Sequence, residues 1–171
     1  MKLAQGEYVA LEKIENILSP NPIIAQIYVH GEPLQSYLLA VVVLEPIKFA
    51  GIASRILGRG VSSQDDQALA DAIKDDRINA YVLSELTKDG KKYGLKGSVS
   101  RSSSFQFYLT QCRFEMIKRV YLTLEPFSLV NGTLTPTLKI KRKDAANLYK
   151  AELEALYALG DPSETKNSFK L

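Results

Sequence analysis

The sequence predicts an α+β domain in which a small mixed or antiparallel sheet is flanked by helices. Two extended, apolar segments, 23–29 and 37–44, lie close together early in the chain with a turn signal between them. Amphipathic helical patterns follow, and a further strand and a long helix occupy the last third of the chain. Helices and strands alternate, but short turns join several strands, which favours an α+β fold over a doubly wound parallel sheet.

The first part of the chain predicts a loop, a helix and two strands. Residues 6–9 form a loop or short hairpin that enters a helix at 11–18, where apolar residues recur at helical spacing before prolines stop the helix. Segment 23–29 is rich in β-branched residues and ends at a turn signal over 30–33. Segment 37–44 is continuously apolar, which is typical of a central strand covered on both faces.

Three helices are predicted in the middle of the chain. The first, over 46–57, begins at a proline and ends at a glycine. The serine pair at 62–63 begins a second helix that reaches about residue 73. The third covers 78–88, and Gly90 is expected to break its pattern.

The last third of the chain predicts a strand, a turn and a helix. Segment 119–124 has the composition of a strand, and the pair at 131–132, Asn-Gly, is a strong hairpin signal. The final helix is expected over 143–159, where Gly-Asp-Pro follows it. Segment 98–112 is anomalous, because it begins with a serine-rich run of low complexity and has no clear amphipathic pattern.

Composition excludes several classes of protein. A net charge of +3 and a pI near 8.9 are only mildly basic, so a dedicated nucleic-acid binder is not expected. One cysteine excludes an internal disulfide framework, and with one histidine it leaves too few ligands for a structural zinc site. The apolar run at 37–44 is far shorter than the roughly 20 residues of a membrane-spanning helix. These features predict a soluble intracellular domain, and they leave room for a local cationic patch that binds phosphates.

The run from 133 to 143 is the most informative stretch of the chain. It places Lys139 on a predicted loop after a turn signal, with a basic cluster and an amphipathic helix behind it. A loop of this kind would present a cation to a phosphate-bearing reaction centre. The run resembles the C-terminal signature of adenylate-forming acyl-CoA synthetases, in which a lysine in a T-x-x-x-K-I-x-R setting serves the adenylation step. The matching residues here are Thr135, Lys139, Ile140 and Arg142.

Three further segments resemble the long-chain fatty acyl-CoA synthetase branch of that superfamily, with a fungal character. Residues 2–15 are similar to the family's loop just past its interdomain hinge, and segments 79–88 and 122–127 match in order and spacing. The resemblance implies an α+β lid domain, the C-terminal part of a larger enzyme. It also implies that the large N-terminal adenylating domain and the hinge aspartate are absent from this chain.

The resemblance divides the chain into a lid domain over 1–160 and a flexible tail over 161–171. Within the lid domain, residues 98–112 interrupt the family pattern and are interpreted as an insertion. A retained intron or a misplaced exon boundary would explain them, and so would a tolerated surface loop, since loop insertions cost little free energy. The sequence leaves these alternatives open.

The resemblance implies a reaction in two halves. A fatty acid and Mg-ATP give an acyl-adenylate and pyrophosphate, and the thiol of CoA then displaces AMP. In the first half two anions must meet, so a lysine that reaches both would offset their repulsion and align them. Lys139 is the predicted catalytic residue, and the alternative is an ordinary exposed lysine. ATP, CoA and Mg²⁺ are the implied cofactors, with ATP and Mg²⁺ bound mainly by the N-terminal domain; this chain has no predicted metal ligand.

Two groups of residues are candidates for binding CoA. The first loop would line the pantetheine tunnel during thioester formation through Gly6, Glu7 and Tyr8. The basic cluster would bind the phosphates of CoA through Lys141, Arg142 and Lys143. Arg142 has an alternative role as an anchor for the loop, and the first loop has the alternative of a simple tight turn. The family implies a large domain rotation that presents Lys139 for adenylation and the first loop for thioester formation.

The predicted partners are the N-terminal adenylating domain, the fatty acid and CoA, without nucleic acid. Peripheral association with a membrane is left open. The chain ends in Phe169-Lys170-Leu171, which approaches a peroxisomal address and would contact an import receptor, although a plain tail explains it equally. A different class of function also remains open, namely a non-enzymatic module that binds an acidic or nucleotide partner through residues 139–143.

Overall fold

The computed structural model describes residues 1–4, 6, 8–92 and 115–162. Over these residues three strands form one sheet, and helices cover both of its faces. The strands are β1 (Ile24–His30), β2 (Leu38–Leu44) and β3 (Ile117–Thr123). The helices are α1 (Leu11–Leu18), α2 (Pro46–Leu57), α3 (Asp66–Ile73), α4 (Asp76–Lys92), α5 (Arg142–Leu148) and α6 (Lys150–Ala158).

The sheet is mixed, with β2 in the middle. β1 pairs with β2 in antiparallel register, so that Val29 lies opposite Ala40. β3 pairs with the other side of β2 in parallel register, so that Val42 lies opposite Leu122. The order β1-β2-β3 leaves the outer side of β1 without a strand neighbour among the described residues. This mixed sheet with helices around it confirms the predicted α+β class.

β2 is the centre of the hydrophobic core, because all seven of its residues are buried. Side chains alternate between the two faces of a strand, so β2 contributes to two apolar clusters. Leu38, Ala40, Val42 and Leu44 pack on the face covered by α1 to α4. Leu39, Val41 and Val43 pack on the opposite face against Phe127, Tyr149 and Leu153. The prediction of a central strand covered on both faces is confirmed.

Two helices begin at capping side chains. Glu45 accepts a hydrogen bond of 2.7 Å from the backbone nitrogen of Lys48 at the start of α2. Gly58 ends that helix with a φ of +67°, a conformation that favours glycine. At α3 the cap is Asp65, whose carboxylate accepts from the backbone nitrogen of Ala68 at 2.9 Å. The predicted start at residues 62–63 is therefore wrong by a few residues, because the aspartate supplies the capping oxygen.

The prediction that Gly90 breaks the helical pattern is wrong. α4 continues to Lys92, and Gly90 is buried within it. A glycine inside a helix costs about 1 kcal/mol relative to alanine. Here Gly90 lies beside Leu18 and Ile117 at a small crevice of the core. Packing of this turn against α1 and β3 outweighs the local preference.

The single final helix predicted over 143–159 is also wrong, because the chain leaves the helical conformation at Tyr149, where φ is −102° and ψ is 23°. The ring of Tyr149 is buried, with its centroid 5.8 Å from that of Tyr121 and 6.0 Å from that of Phe127. Docking this ring on the sheet divides the segment into α5 and α6. The Asn-Gly pair at 131–132 forms a turn, but the hairpin-like pairing lies just after it, where Leu134 bridges to Ile140.

An aromatic cluster packs α6 against the end of β1. The ring of His30 lies 6.1 Å from that of Tyr157, and Tyr157 lies 5.3 Å from Tyr37. The Nδ1 of His30 is 3.1 Å from the hydroxyl of Tyr28. His30 is half-buried within this cluster.

None of the described helices is both long and apolar enough to cross a membrane. The predicted insertion at 98–112 and the end of the predicted tail, from 163 onwards, lie outside the described residues.

We expect two tyrosine hydroxyls to differ in their effect on stability. The hydroxyl of Tyr149 is buried without a hydrogen-bond partner among the described residues, whereas that of Tyr28 donates to the carbonyl of Arg142 at 3.3 Å. Tyr149→Phe should therefore be neutral or stabilising, and Tyr28→Phe should cost about 1 kcal/mol. Urea unfolding of both variants tests this, and a larger loss for Tyr149→Phe than for Tyr28→Phe would contradict it.

We expect His30 to make the fold less stable in acid. Burial lowers the pKa of His30 from its ordinary value of 6.5; nearby Glu32 opposes this shift and Arg142 adds to it. As the pH falls below about 6.5, the unfolded chain gains a proton at His30 that the folded chain resists, so stability is lost until the folded pKa is passed. The free energy of unfolding of wild type and His30→Gln, compared between pH 8 and pH 5, measures this. A difference between the two that is independent of pH would contradict it.

Candidate functional site

The first candidate loop is a short hairpin at the start of the chain. Met1 and Val9 exchange two hydrogen bonds of 2.9 and 2.7 Å, and Lys2 bridges to Tyr8. Gly6 turns the hairpin with a φ of +86°, where a side chain would be strained. The ring of Tyr8 is 79% exposed, so it is available to a ligand. The predicted residue Glu7 lies outside the described residues.

The second candidate loop carries Lys139. Leu134 bridges to Ile140, and the backbone nitrogen of Lys141 donates to the carbonyl of Thr133 at 2.8 Å. Nearer the tip, the backbone nitrogen of Thr135 donates to the carbonyl of Lys139 at 2.8 Å. The pairing makes 133–141 a tight loop, as the turn signal predicted, and Lys139 is exposed on it.

The backbone beside Lys139 is held in a costly conformation. Leu138 has a φ of 60°, a region that side chains other than glycine enter at a cost of about 1 kcal/mol or more. The hydroxyl of Thr135 accepts a hydrogen bond of 3.0 Å from the backbone nitrogen of Lys139 and holds this turn in place. Such strain persists only where the surroundings hold it, and it occurs most often at functional sites.

The base of the loop is a polar network that the sequence did not identify. Thr133 is fully buried, and its hydroxyl donates to the side-chain oxygen of Asn131 at 2.6 Å. The backbone nitrogen of Ser128 contacts both the Thr133 hydroxyl and the Asn131 oxygen at 3.0 Å. Asn131 also donates to the carbonyl of Pro126 at 3.0 Å. These bonds hold the turn from which the Lys139 loop starts.

Lys139 and the three cations of the basic cluster have different surroundings. Lys141 forms an exposed pair of 3.3 Å with Asp144. Arg142 forms a half-buried ion pair. The ammonium groups of Lys139 and Lys143 have no ion pair or hydrogen bond with any described residue. Two of the three residues predicted to bind the CoA phosphates, Lys141 and Arg142, are therefore already engaged within the domain.

Arg142 contacts two other structural elements, α1 and β1. Its Nη2 donates to Glu15 on α1 at 2.6 Å, and its Nη1 donates to the carbonyl of Val29 on β1 at 3.1 Å. The guanidinium also lies 5.8 Å from the centre of the Tyr28 ring. These contacts favour the anchoring role that the sequence left open for Arg142, and a role in CoA binding stays a prediction.

Glu15 is the partner that sequence reasoning missed. Burial raises the pKa of its carboxyl, and this effect is opposed by a hydrogen bond from the Val29 backbone and by the charge of Arg142. One signal was present in the sequence. Position 15 lies on the apolar stripe of α1 with Leu11 and Leu18, and a carboxylate on an inward stripe requires a partner.

A groove of about 500 Å³ runs between α1 and the Lys139 loop. Its walls include Gln26, Phe127, Leu138 and Lys139. Neither Gly6 nor Tyr8 lines this groove. The structure therefore does not bring the two candidate loops together in one groove. Within the described residues no group of three or more histidine, cysteine, aspartate or glutamate side chains is placed to hold a metal ion.

Comparison with known proteins identifies relatives along nearly the whole chain. It is 37% identical over 158 residues to the peroxisomal acyl-CoA ligase 891 of Penicillium roqueforti, which covers 92% of this chain and 20% of that protein. It is 37% identical over 156 residues to long-chain-fatty-acid–CoA ligase 5 of Rattus norvegicus, with 91% and 20% covered. The chain thus spans about one fifth of the length of these relatives. No protein-family model matches it.

Solved structures agree with the sequence relatives. The adenylation domain of a carboxylic acid reductase from Segniliparus rugosus, in complex with AMP and a co-purified carboxylic acid, superposes with a TM-score of 0.65 and 28% identity. The match covers 93% of this chain and 20% of that one. The adenylation domain of the carboxylate reductase from Mycobacterium chelonae gives the same TM-score, 0.65, with 28% identity and 92% and 19% covered.

These findings confirm the resemblance noted in the sequence, and they give no support to a non-enzymatic module that binds through 139–143. The fold is that of the C-terminal domain of adenylate-forming enzymes. Identity of 33–37% to acyl-CoA ligases extends over nearly the whole chain. The homologues of this chain, along nearly its whole length, are thus long-chain fatty acyl-CoA ligases, and the chain matches one segment of them.

Proposed function

We propose that this chain is the C-terminal lid domain of a long-chain fatty acid–CoA ligase, and that Lys139 serves the adenylation half of its reaction. One observation carries the proposal. The ammonium of Lys139 has no partner among the described residues, on a strained and tightly bonded loop, in a chain 37% identical to such a ligase. The whole enzyme would join a fatty acid to CoA, with ATP converted to AMP and pyrophosphate.

The chemistry of adenylation suits a lysine in this setting. A carboxylate oxygen attacks the α-phosphorus of ATP, a P–O bond forms, and pyrophosphate leaves. Both reactants are anions, so a cation between them offsets their repulsion and holds them in line. A lysine is a point charge on a flexible stem, so Lys139 can reach the reacting groups and later withdraw while its backbone stays fixed.

We assign thioester formation to the other face of the lid. Tyr8 offers an exposed ring and Gly6 a close backbone approach, which supports contact with the pantetheine arm of CoA. Lys143 has no partner among the described residues, so it is a stronger candidate for the CoA phosphates than Lys141 or Arg142, which are paired. Mg²⁺ and most contacts with ATP we assign to the adenylating domain, and the reaction requires the lid to rotate between its two halves.

Replacing Lys139 should separate the two half-reactions. In the enzyme that contains both domains, Lys139→Ala should lower the rate of acyl-adenylate formation by on the order of 100-fold or more, because the cation at the reacting anions is lost. Conversion of preformed acyl-adenylate to acyl-CoA should be retained. Exchange of labelled pyrophosphate into ATP measures the first half, and thioester formation from synthetic acyl-adenylate measures the second.

The control for this experiment is Lys150→Ala, which removes an equivalent charge from the exposed surface of α6. An equal loss in both half-reactions for Lys139→Ala, or no loss in the first, would remove Lys139 from its assigned role.

The isolated chain should not make acyl-CoA. We assign the ATP and fatty-acid sites to another domain, so the 171-residue chain would lack the groups that bind and align the reactants. Purified chain incubated with palmitate, ATP, Mg²⁺ and CoA should give no acyl-CoA above background by mass spectrometry. Turnover by the chain alone would contradict its assignment as a lid.

A further inference from the structure

Among the residues that the structure describes, side chains rather than a strand cover the outer side of β1. At Val29 the backbone nitrogen donates to Glu15 Oε1 at 2.8 Å, and the carbonyl accepts from Arg142 Nη1 at 3.1 Å. These are the two groups that a neighbouring strand would otherwise bind. A free strand edge is normally covered in a folded protein, and here an ion pair does this.

The ion pair itself completes a closed set of contacts. Arg142 Nη2 donates to Glu15 Oε2 at 2.6 Å, so each oxygen of Glu15 and two nitrogens of Arg142 are used. The side chain of Glu15 is only 12% exposed, and that of Arg142 is 31% exposed. Loss of one partner therefore leaves the charge of the other partly buried with no opposite charge beside it. A lysine could not replace the forked guanidinium at both acceptors.

The segment that carries Lys139 is fastened to β1 at both ends. Where it begins, Gln26 on β1 accepts from the backbone nitrogen of Phe127 at 2.6 Å and donates to the Phe127 carbonyl at 3.2 Å. Where it ends, Arg142 makes the contacts just described, only three residues after Lys139. The hydroxyl of Tyr28 also donates to the carbonyl of Arg142 at 3.3 Å. The position of Lys139 thus depends on contacts that its segment makes with β1.

We infer that Arg142 is a positioning residue for Lys139, because the guanidinium held by Glu15 and Val29 fixes the end of the loop that presents the Lys139 ammonium. This inference rests on the proposed adenylation role of Lys139. It assigns Arg142 to the first half of the reaction through the loop, and not to the phosphates of CoA. It also makes adenylation depend on Glu15, which lies on a different element, 127 positions from Arg142 in the sequence.

The test uses the enzyme that contains both domains. Arg142→Gln and Glu15→Gln should each lower kcat for acyl-adenylate formation by about 10- to 100-fold, because a displacement of about 1 Å at a reacting group can cost that much. The KM for ATP should change little. Arg142→Lys should lose less, since an ammonium can still reach one of the two acceptors. In a Lys139→Ala background, Arg142→Gln should cause no further loss, because it acts through Lys139.

Two matched controls remove similar charges from neighbouring surfaces. Glu12→Gln neutralises a carboxylate one turn earlier on α1, and Lys150→Gln neutralises a cation on α6; both should keep wild-type rates in each half-reaction. Urea unfolding shows which variants are folded. If Arg142→Gln does not fold, Arg142→Lys and Glu15→Gln carry the test, since the first keeps the positive charge and the second keeps the shape of the glutamate.

The outcomes separate this inference from the proposed function. Two outcomes would overturn the inference while the role of Lys139 stands, provided that Lys139→Ala lowers adenylation. In the first, Arg142→Gln leaves adenylation intact. In the second, Arg142→Gln adds its own loss in the Lys139→Ala background. A loss confined to the thioester half with a raised KM for CoA overturns it in the same way and assigns Arg142 to CoA. If Lys139→Ala itself leaves adenylation intact, the proposed function fails, and the inference fails with it.

Discussion

The outer side of β1 is the constraint on which the site depends. Within the part of the chain that the structure describes, no strand pairs with the outer side of β1, so the backbone groups there must find other partners. Glu15 and Arg142 bind Val29 there, and Gln26 reaches from the same strand to Phe127. The contacts that complete the sheet therefore also fasten the loop of Lys139. Stability of the fold and placement of the candidate catalytic lysine have the same physical origin.

The cations at positions 139, 141 and 142 differ in their partners. The guanidinium of Arg142 pairs with Glu15 inside the domain, where its forked geometry can bind two acceptors. Lys141 pairs with Asp144. The ammonium of Lys139 has no partner among the described residues, while the hydroxyl of Thr135 accepts from the Lys139 backbone nitrogen next to the strained Leu138. Because the loop backbone is already fixed, only the side chain must be ordered when substrate binds. This costs less conformational entropy than ordering a flexible loop would. A run of cations in a sequence can thus contain both residues that anchor the fold and residues whose charge has no partner within the described part of the domain.

Local patterns in the sequence predict much of the fold but only part of the candidate site. The apolar run at 37–44 predicts β2 because a strand buried on both faces has no polar alternation, and α1 begins and ends where its spacing and prolines indicate. Gly90 and Tyr149 were mispredicted because tertiary packing outweighs local preference there. Lys139 was predicted from its turn and motif, and its catalytic role stays a prediction. The role of Arg142 depends on a carboxylate 127 positions away, a distance over which no periodicity carries information.

Hydrogen–deuterium exchange in Glu15→Ala tests the central claim most directly, because it reports on the backbone of both the strand edge and the loop. We expect faster exchange at the Val29 amide and across 133–141, with little change in the core of β2, and no such effect in Glu12→Ala. Unchanged protection of 133–141 in Glu15→Ala would contradict the claim that the covered edge of β1 holds the Lys139 loop.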